Sequence, residues 1–147
     1  MAITIATYNV NGIADPTKRR AVFEFLSTVQ AEIILIHETH SKVVTEHRWQ
    51  KEWTRGQAFF HSSIKKQAES GVATLVQSKN IYMEKINSDL QGRILTAKVF
   101  KEQDTFYVTN IYAPAGAQKR KENYIFFESL YPYIQTNGPT KIGRAHV

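Results

Sequence analysis

Apolar and polar residues alternate over Ile3-Thr4-Ile5-Ala6-Thr7-Tyr8, and the alternation stops at Asn9-Val10-Asn11-Gly12. That pattern predicts a strand running into a turn that Asn and Gly permit. Asp15-Pro16-Thr17 then opens a helix, with Asp15 as N-cap and Pro16 in the first helical position. Val22, Phe25, Leu26 and Val29 recur at the spacing of one helical face, which leaves Lys18, Arg19 and Arg20 on the solvated face. Next comes an unbroken aliphatic run, Ile33-Ile34-Leu35-Ile36, which predicts a short strand buried on both sides. It ends abruptly in His37-Glu38-Thr39-His40. Strand, helix and buried strand make a βαβ unit, whose functional ends are the C-termini of its strands. Asn9 and Glu38 both fall at such ends. Glu38 is either the point where the strand meets water or a carboxylate fixed on a rigid element.

Farther along, Trp49 and Trp53 lie four apart and suit the packed face of a short helix. Residues 57–61 read as a strand, and 62–70 as a basic polar loop containing Lys65 and Lys66. Residues 71–76 form a second buried run, 81–86 a weak strand, and 93–100 and 106–112 clear strands. The short connections among these four predict an antiparallel meander. Residues 118–134 predict a helix with Phe127, Leu130, Tyr131 and Ile134 on its apolar face. Its first turn, Lys119-Arg120-Lys121, opposes the helix dipole, so these charges either serve a partner or are simply solvated. Thr140-Lys141-Ile142 begins a further strand.

Composition narrows the class. The chain has 147 residues, 42% hydrophobic and 12% aromatic, a globular composition for one domain with a core. No apolar run approaches the ~20 residues of a membrane span. The N-terminus lacks the basic region and cleavable apolar segment of a signal peptide. The absence of cysteine excludes a disulfide scaffold and thiolate zinc sites, and fits a reducing compartment. Nineteen Lys and Arg against 13 Asp and Glu give a net charge of +6, compatible with a polyanionic partner such as nucleic acid.

Three pieces at predicted strand ends now stand together: Thr7-Tyr8-Asn9-Val10-Asn11-Gly12-Ile13, Ile36-His37-Glu38-Thr39-His40 and Thr109-Asn110-Ile111-Tyr112-Ala113-Pro114. In this order they resemble the endonuclease/exonuclease/phosphatase family, which includes DNase I. Gly71-Val72-Ala73 and Gly92-Arg93, each opening a strand, fit the same family. The spelling is most similar to the endonuclease domains of non-LTR (LINE-type) retrotransposons. The resemblance implies an α/β (α+β) chain forming part of a four-layered DNase I-like sandwich, cut before the second sheet is complete. It also implies that the inner face of the strands present loses much of its cover, which makes the isolated chain aggregation-prone.

By the same resemblance Glu38 is the ligand of a divalent cation, Mg²⁺ or alternatively Mn²⁺. Asn9 stands beside the metal as a metal-site and catalytic residue, and Tyr112 contacts the scissile phosphate. Asn11 and His40 match substrate-binding positions nearby. The residue types suit the chemistry. A hard cation held by few carboxylates offsets the charge of a phosphodiester, while Asn and Tyr hydrogen-bond to it without adding charge. Two positions depart from the pattern: His37 stands where the family usually has Gln, and Ala115 where retrotransposon relatives often carry a polar residue.

The family's Gly-Asp-Phe-Asn motif, a further Asp and a terminal Asp-His pair do not occur in this sequence. Asp15, Asp89 and Asp104 lie in predicted loops without that context, and His146 lacks the preceding aspartate. Residues 1–141 are therefore read as the N-terminal portion of the domain. Residues 142–147, Ile-Gly-Arg-Ala-His-Val, resemble one reading frame of a sequencing adapter and are set apart as a non-native tail. The functional expectation is a fragment of a retrotransposon endonuclease that nicks DNA to leave a 3′-hydroxyl primer, inactive by itself. A reverse transcriptase is expected downstream, no membrane is involved, and the full-length element is expected inside the cell, in the nucleus. The alternatives are an AP endonuclease or phosphate-ester phosphatase of the same family, or a non-catalytic degenerate fragment.

Overall fold

The computed structural model describes residues 2–65, 69–113, 130–133 and 140–145. The chain opens with β1 (Ile5–Asn9), α1 (Pro16–Leu26) and β2 (Ile33–His37), and the two strands pair in parallel with Asn9 opposite His37. The predicted βαβ unit is therefore present. Asp15 caps α1 as expected, its side chain accepting from the Lys18 amide at 3.1 Å. A short 3-10 turn (Val43–Thr45) leads into α2 (Glu46–Glu52), β3 (Ala58–His61) and β4 (Val72–Val76). The second half supplies β5 (Ile81–Ser88), β6 (Ile94–Lys101), β7 (Asp104–Tyr112) and β8 (Thr140–Ala145).

These strands form two four-stranded sheets, in the orders β1-β2-β4-β3 and β5-β6-β7-β8. The expected four-strand meander is accordingly corrected. β5, β6 and β7 form an antiparallel meander, whereas β4 pairs antiparallel with β2 and β3 in the other sheet. A short link at 77–80 looks like a hairpin connection in sequence, yet here it carries the chain from one sheet to the other. Gln77 secures the crossing, its side-chain amide donating to the carbonyls of Val29 and Ala31.

β2 is buried along its whole length, and its period of two assigns alternate residues to different cores. Ile34 and Ile36 pack with Phe23, Leu26, Trp49 and Trp53 beneath the helices. Ile33 and Leu35 point the other way, into a layer shared with Met83, Ala97, Val99, Phe106 and Val108 of the second sheet. The inner face of the first sheet therefore keeps its cover, contrary to expectation, because β5, β6 and β7 lie across it.

Two expectations for the helices need revision. Phe23 and Leu26 carry the buried face of α1, with Val22 and Val29 half-buried, while Phe25 is 54% exposed and packs only edge-on against Tyr8. Arg19, expected in solvent, is buried. Its guanidinium lies 4.6 Å from the centre of the Trp49 ring, pairs with Glu52 at 2.6 Å and donates to the carbonyls of Ile13 and Ala14. The predicted helix at 118–134, with Phe127, Ile134 and the basic first turn, lies outside the described residues except at 130–133. There Leu130 is buried and Tyr131–Tyr133 is a 3-10 helix.

Candidate active site

The C-terminal ends of β1 and β2 lie side by side, and the loops that leave them are stitched together. The Val10 amide donates to the His37 carbonyl, Gly12 to Glu38, and Ile13 to Thr39. The next loops join the same seam: Thr39 and His40 amides donate to the carbonyls of Gly71 and Ser70, and Gly71 donates to Gly92. Fixing so many chain ends in a small space forces unusual backbone. Asn11, Gly12, Glu38, His40, Ser70, Gly71 and Gly92 all adopt positive φ, between 49° and 91°. For residues with a Cβ this costs about 1–2 kcal/mol each, so the rest of the fold holds them there. At Gly71, with φ +91°, an added Cβ would collide with the Thr39 hydroxyl, so any other residue there is strained and must displace its neighbour.

Glu38 ends β2 in this left-handed conformation, at φ +57° and half-buried. From the facing sheet the hydroxyl of Tyr112, at the end of β7, donates to Glu38 Oε1 at 2.9 Å. Burial first, and then this hydrogen bond, push the Tyr112 hydroxyl up to about 12, so it stays protonated and acts as a donor near neutral pH. Asn9 is half-buried beside them, but its carboxamide oxygen accepts from the Asn11 amide at 2.9 Å and so shapes its own turn. Asn11 is exposed, and its carbonyl accepts from Lys18 Nζ at 2.8 Å. His40 lies under Gly12, where a Cβ would meet its ring. The structure thus gathers Asn9, Asn11, Glu38, His40 and Tyr112 at one rim. Among the described residues it joins side chain to side chain only in the Glu38–Tyr112 pair.

Beneath the rim, His37 is fully buried and its Nδ1 lies 3.3 Å from the Tyr8 carbonyl. Burial lowers its pKa, which favours the neutral ring. Arg93 covers Tyr112 from the other side. Its guanidinium lies 5.2 Å from the ring centre, Nη1 donates to the Tyr112 carbonyl at 3.3 Å, and its own carbonyl accepts from the Tyr112 amide. The sequence marks Gly92-Arg93 as the opening of a strand that fits the family, without giving Arg93 a place against Tyr112. Asp89 likewise reads as a loop residue without the family context, and its place beside the site depends on the packing of two loops.

Among the described residues, no three His, Cys, Asp or Glu side chains come close enough to hold a metal ion between them. Glu38 supplies one half-buried carboxylate whose second oxygen accepts no hydrogen bond among the described residues. A lone oxygen ligand fits a hard cation that keeps most of its waters, such as Mg²⁺, and not a zinc cage. A cavity of about 580 Å³ beside α1 and α2, lined by Arg19, Arg20, Phe23, Glu52, Trp53 and Arg55, shares no residue with this rim.

Known structures place this two-sheet arrangement. An AP endonuclease from Leishmania major superposes with a TM-score of 0.70 at 17% identity, covering 98% of this chain and 54% of that one. A Neisseria 3′ phosphatase bound to product DNA hairpin gives 0.61 at 18% identity, covering 90% and 51%. The fold is DNase I-like. It is the fold that the ordered motifs implied, and the chain spans about half the length of these DNase I-like structures. In sequence, the chain is 33% identical over 138 residues to a transposon TX1 149 kDa protein of Xenopus laevis, covering 92% of this chain and 10% of that protein. The retrotransposon spelling of the motifs thus has a counterpart in a transposon protein. No family profile matches the chain.

Proposed function

We propose that this chain is the Glu38-bearing portion of a metal-dependent phosphodiesterase, a retrotransposon endonuclease that nicks target DNA and leaves a 3′-hydroxyl primer. The observation that carries the reading is the Tyr112–Glu38 hydrogen bond of 2.9 Å across two DNase I-like sheets. Glu38 is the metal ligand and Asn9 its uncharged neighbour. Tyr112 binds substrate and acts catalytically, and Asn11 and His40 line the approach. A divalent cation at Glu38, Mg²⁺ or Mn²⁺, would neutralise phosphate charge and stabilise the leaving oxygen.

The chain's own groups do the rest that is open to them. The Tyr112 hydroxyl is protonated near neutral pH and has one proton, held on Glu38 in the structure; with a cation on that carboxylate it would turn from Glu38 and donate to a non-bridging oxygen as negative charge grows there. The rigid loops hold it in place beforehand, so little reorganisation accompanies the reaction. Asn9 adds a hydrogen-bonding amide without charge, and Lys18 brings a cation to the Asn11 turn. The Asp-Asn and Asp-His motifs that orient the attacking water in the family do not occur in this sequence. Residues 1–141 therefore supply only part of a site and do not turn over alone, and a reverse transcriptase lies downstream in the whole protein.

Supercoiled plasmid nicking with Mg²⁺ tests the reading, using the whole element protein and the 147-residue chain in parallel. The whole protein is expected to make nicks that a polymerase extends and that Glu38→Ala abolishes, whereas the chain makes none. Nicking by the 147-residue chain that disappears in Glu38→Ala would overturn its inactivity. Preference for abasic DNA, or phosphate release from small esters, would favour the second reading, an AP endonuclease or phosphatase, which the likeness to the Leishmania AP endonuclease supports.

A further inference from the structure

A second polar cluster sits behind the rim, and none of the roles above uses it. His61, the last residue of β3, is 7% exposed, and Asp89, in the turn between β5 and β6, is 9% exposed. His61 Nε2 and Asp89 Oδ1 are 2.9 Å apart, so the pair joins the first sheet to the second. The same Asp89 oxygen accepts from the amides of Arg93 at 3.1 Å and Ile94 at 3.0 Å, which closes the turn 89–94. Burial pushes the Asp89 carboxyl up, but the hydrogen bonds from His61 and the two amides prevail and hold it below its ordinary value.

The closed turn fits tightly against the first sheet. A Cβ on Gly92 would come within 2.6 Å of the Ser63 amide nitrogen, Ser70 Oγ donates to the Gln91 carbonyl at 2.7 Å, and the Ile64 amide donates to the Leu90 carbonyl at 3.2 Å. Arg93 leaves this turn to lie over the Tyr112 ring, and Tyr112 meets Glu38. A continuous path of contacts therefore runs from His61 through Asp89 and Arg93 to Tyr112.

We propose that His61 and Asp89 are positioning residues: their buried pair clasps the two sheets, sets Arg93 on Tyr112 and thereby keeps the Tyr112 hydroxyl on Glu38. A buried hydrogen-bonded polar pair is weak evidence for stability, and its best-attested use is to fix one arrangement among several. An apolar pair of similar size would leave the turn amides of Arg93 and Ile94 without an acceptor and the sheets free to settle differently. The proposal rests on Glu38 and Tyr112 being the working pair. Its test uses no catalysis, so failure of the clasp and failure of the endonuclease reading are separable.

The test is NMR on the isotopically labelled 147-residue protein, reading the Arg93 Nε–H cross-peak and the Tyr112 Cζ resonance. Arg93→Lys and Tyr112→Phe assign the two signals. In folded His61→Leu, the Arg93 signal is expected to broaden away through solvent exchange and the Tyr112 Cζ resonance to move to the position of a free phenol. His61→Gln, which can still donate to Asp89, should restore both. Folded His61→Leu with both signals unchanged would overturn the proposal, as would a His61→Gln that restores neither. Should His61→Leu fail to fold, Asp89→Asn is read in the same way, with displaced signals expected. Failure of both variants to fold would also overturn it, because the pair would then be holding the fold and not the site.

Discussion

The Tyr112 hydroxyl donates to Glu38 Oε1 at 2.9 Å, although the two residues lie 74 positions apart and belong to different sheets. Tyr112→Phe removes that donor and leaves a half-buried carboxylate that water can reach. Stability is expected to fall by only ~0.5–1.5 kcal/mol, measured by urea unfolding. On the proposed function, the same change in the whole protein is expected to slow nicking by ~10²–10³-fold with little effect on DNA affinity, as for the loss of one preorganised donor.

Leu35 is fully buried and points into the layer between the sheets, among Val99, Phe106 and Val108. Leu35→Ala leaves a cavity where neither sheet can readily close. It is expected to cost ~2–5 kcal/mol, seen as a lower urea midpoint with an unchanged slope. A cost under ~1 kcal/mol would mean that the two sheets do not pack as described.

Gly71 holds φ +91° with the Thr39 hydroxyl where a side chain would begin. Gly71→Ala is expected to destabilise the protein by ~1–3 kcal/mol and to shift the backbone signals of 38–40. The Gly71 carbonyl accepts from the Thr39 amide, so displacing it disturbs the Glu38 loop directly. A chemical-shift map that changes only around 71 would refute the coupling.

Asp89 is held below its ordinary value of 3.8, and Glu32 and Glu52 are likewise lowered, chiefly by Lys101 and Arg19. Each lowered carboxyl adds stability above its unfolded pKa and loses it as pH falls through its folded one. Stability is therefore expected to begin falling on acidification below about pH 6.5, where burial keeps His37 from taking up the proton that the unfolded chain binds, and to fall further below about pH 4–5 as the lowered carboxyls titrate. Asp89→Asn should make that acid slope shallower without abolishing it, because Glu32 and Glu52 remain. Urea midpoints across the acid range check this.

The sequence makes some of this legible and hides the rest for physical reasons. β2 was readable because an unbroken aliphatic run has few other uses, and α1 was readable at its start because Asp15 and Pro16 are position-specific. Its buried face was misphased because Arg19 is polar by type yet neutralised inside by Glu52, two carbonyls and the Trp49 ring. The sequence puts β4 in the meander, and the structure does not, because a short link does not reveal which sheet the next strand joins. The ordered motifs identified the residues of the rim, but not how they meet. Glu38 and His40 adopt backbone angles that their residue types do not advertise, and the His61–Asp89 pair depends on packing between loops 28 positions apart.

The separation of Glu38 from its donor also sets an order of events during folding. The βαβ unit closes through contacts within its first 37 residues, so the carboxylate is delivered early. The β5–β7 hairpins that carry Tyr112 are local as well, and the long closure is the one that joins the two units, 74 positions between Glu38 and Tyr112. Loop closure alone therefore predicts that the pair forms after both units, and the Glu38 turn itself waits for the carbonyls of Ser70 and Gly71.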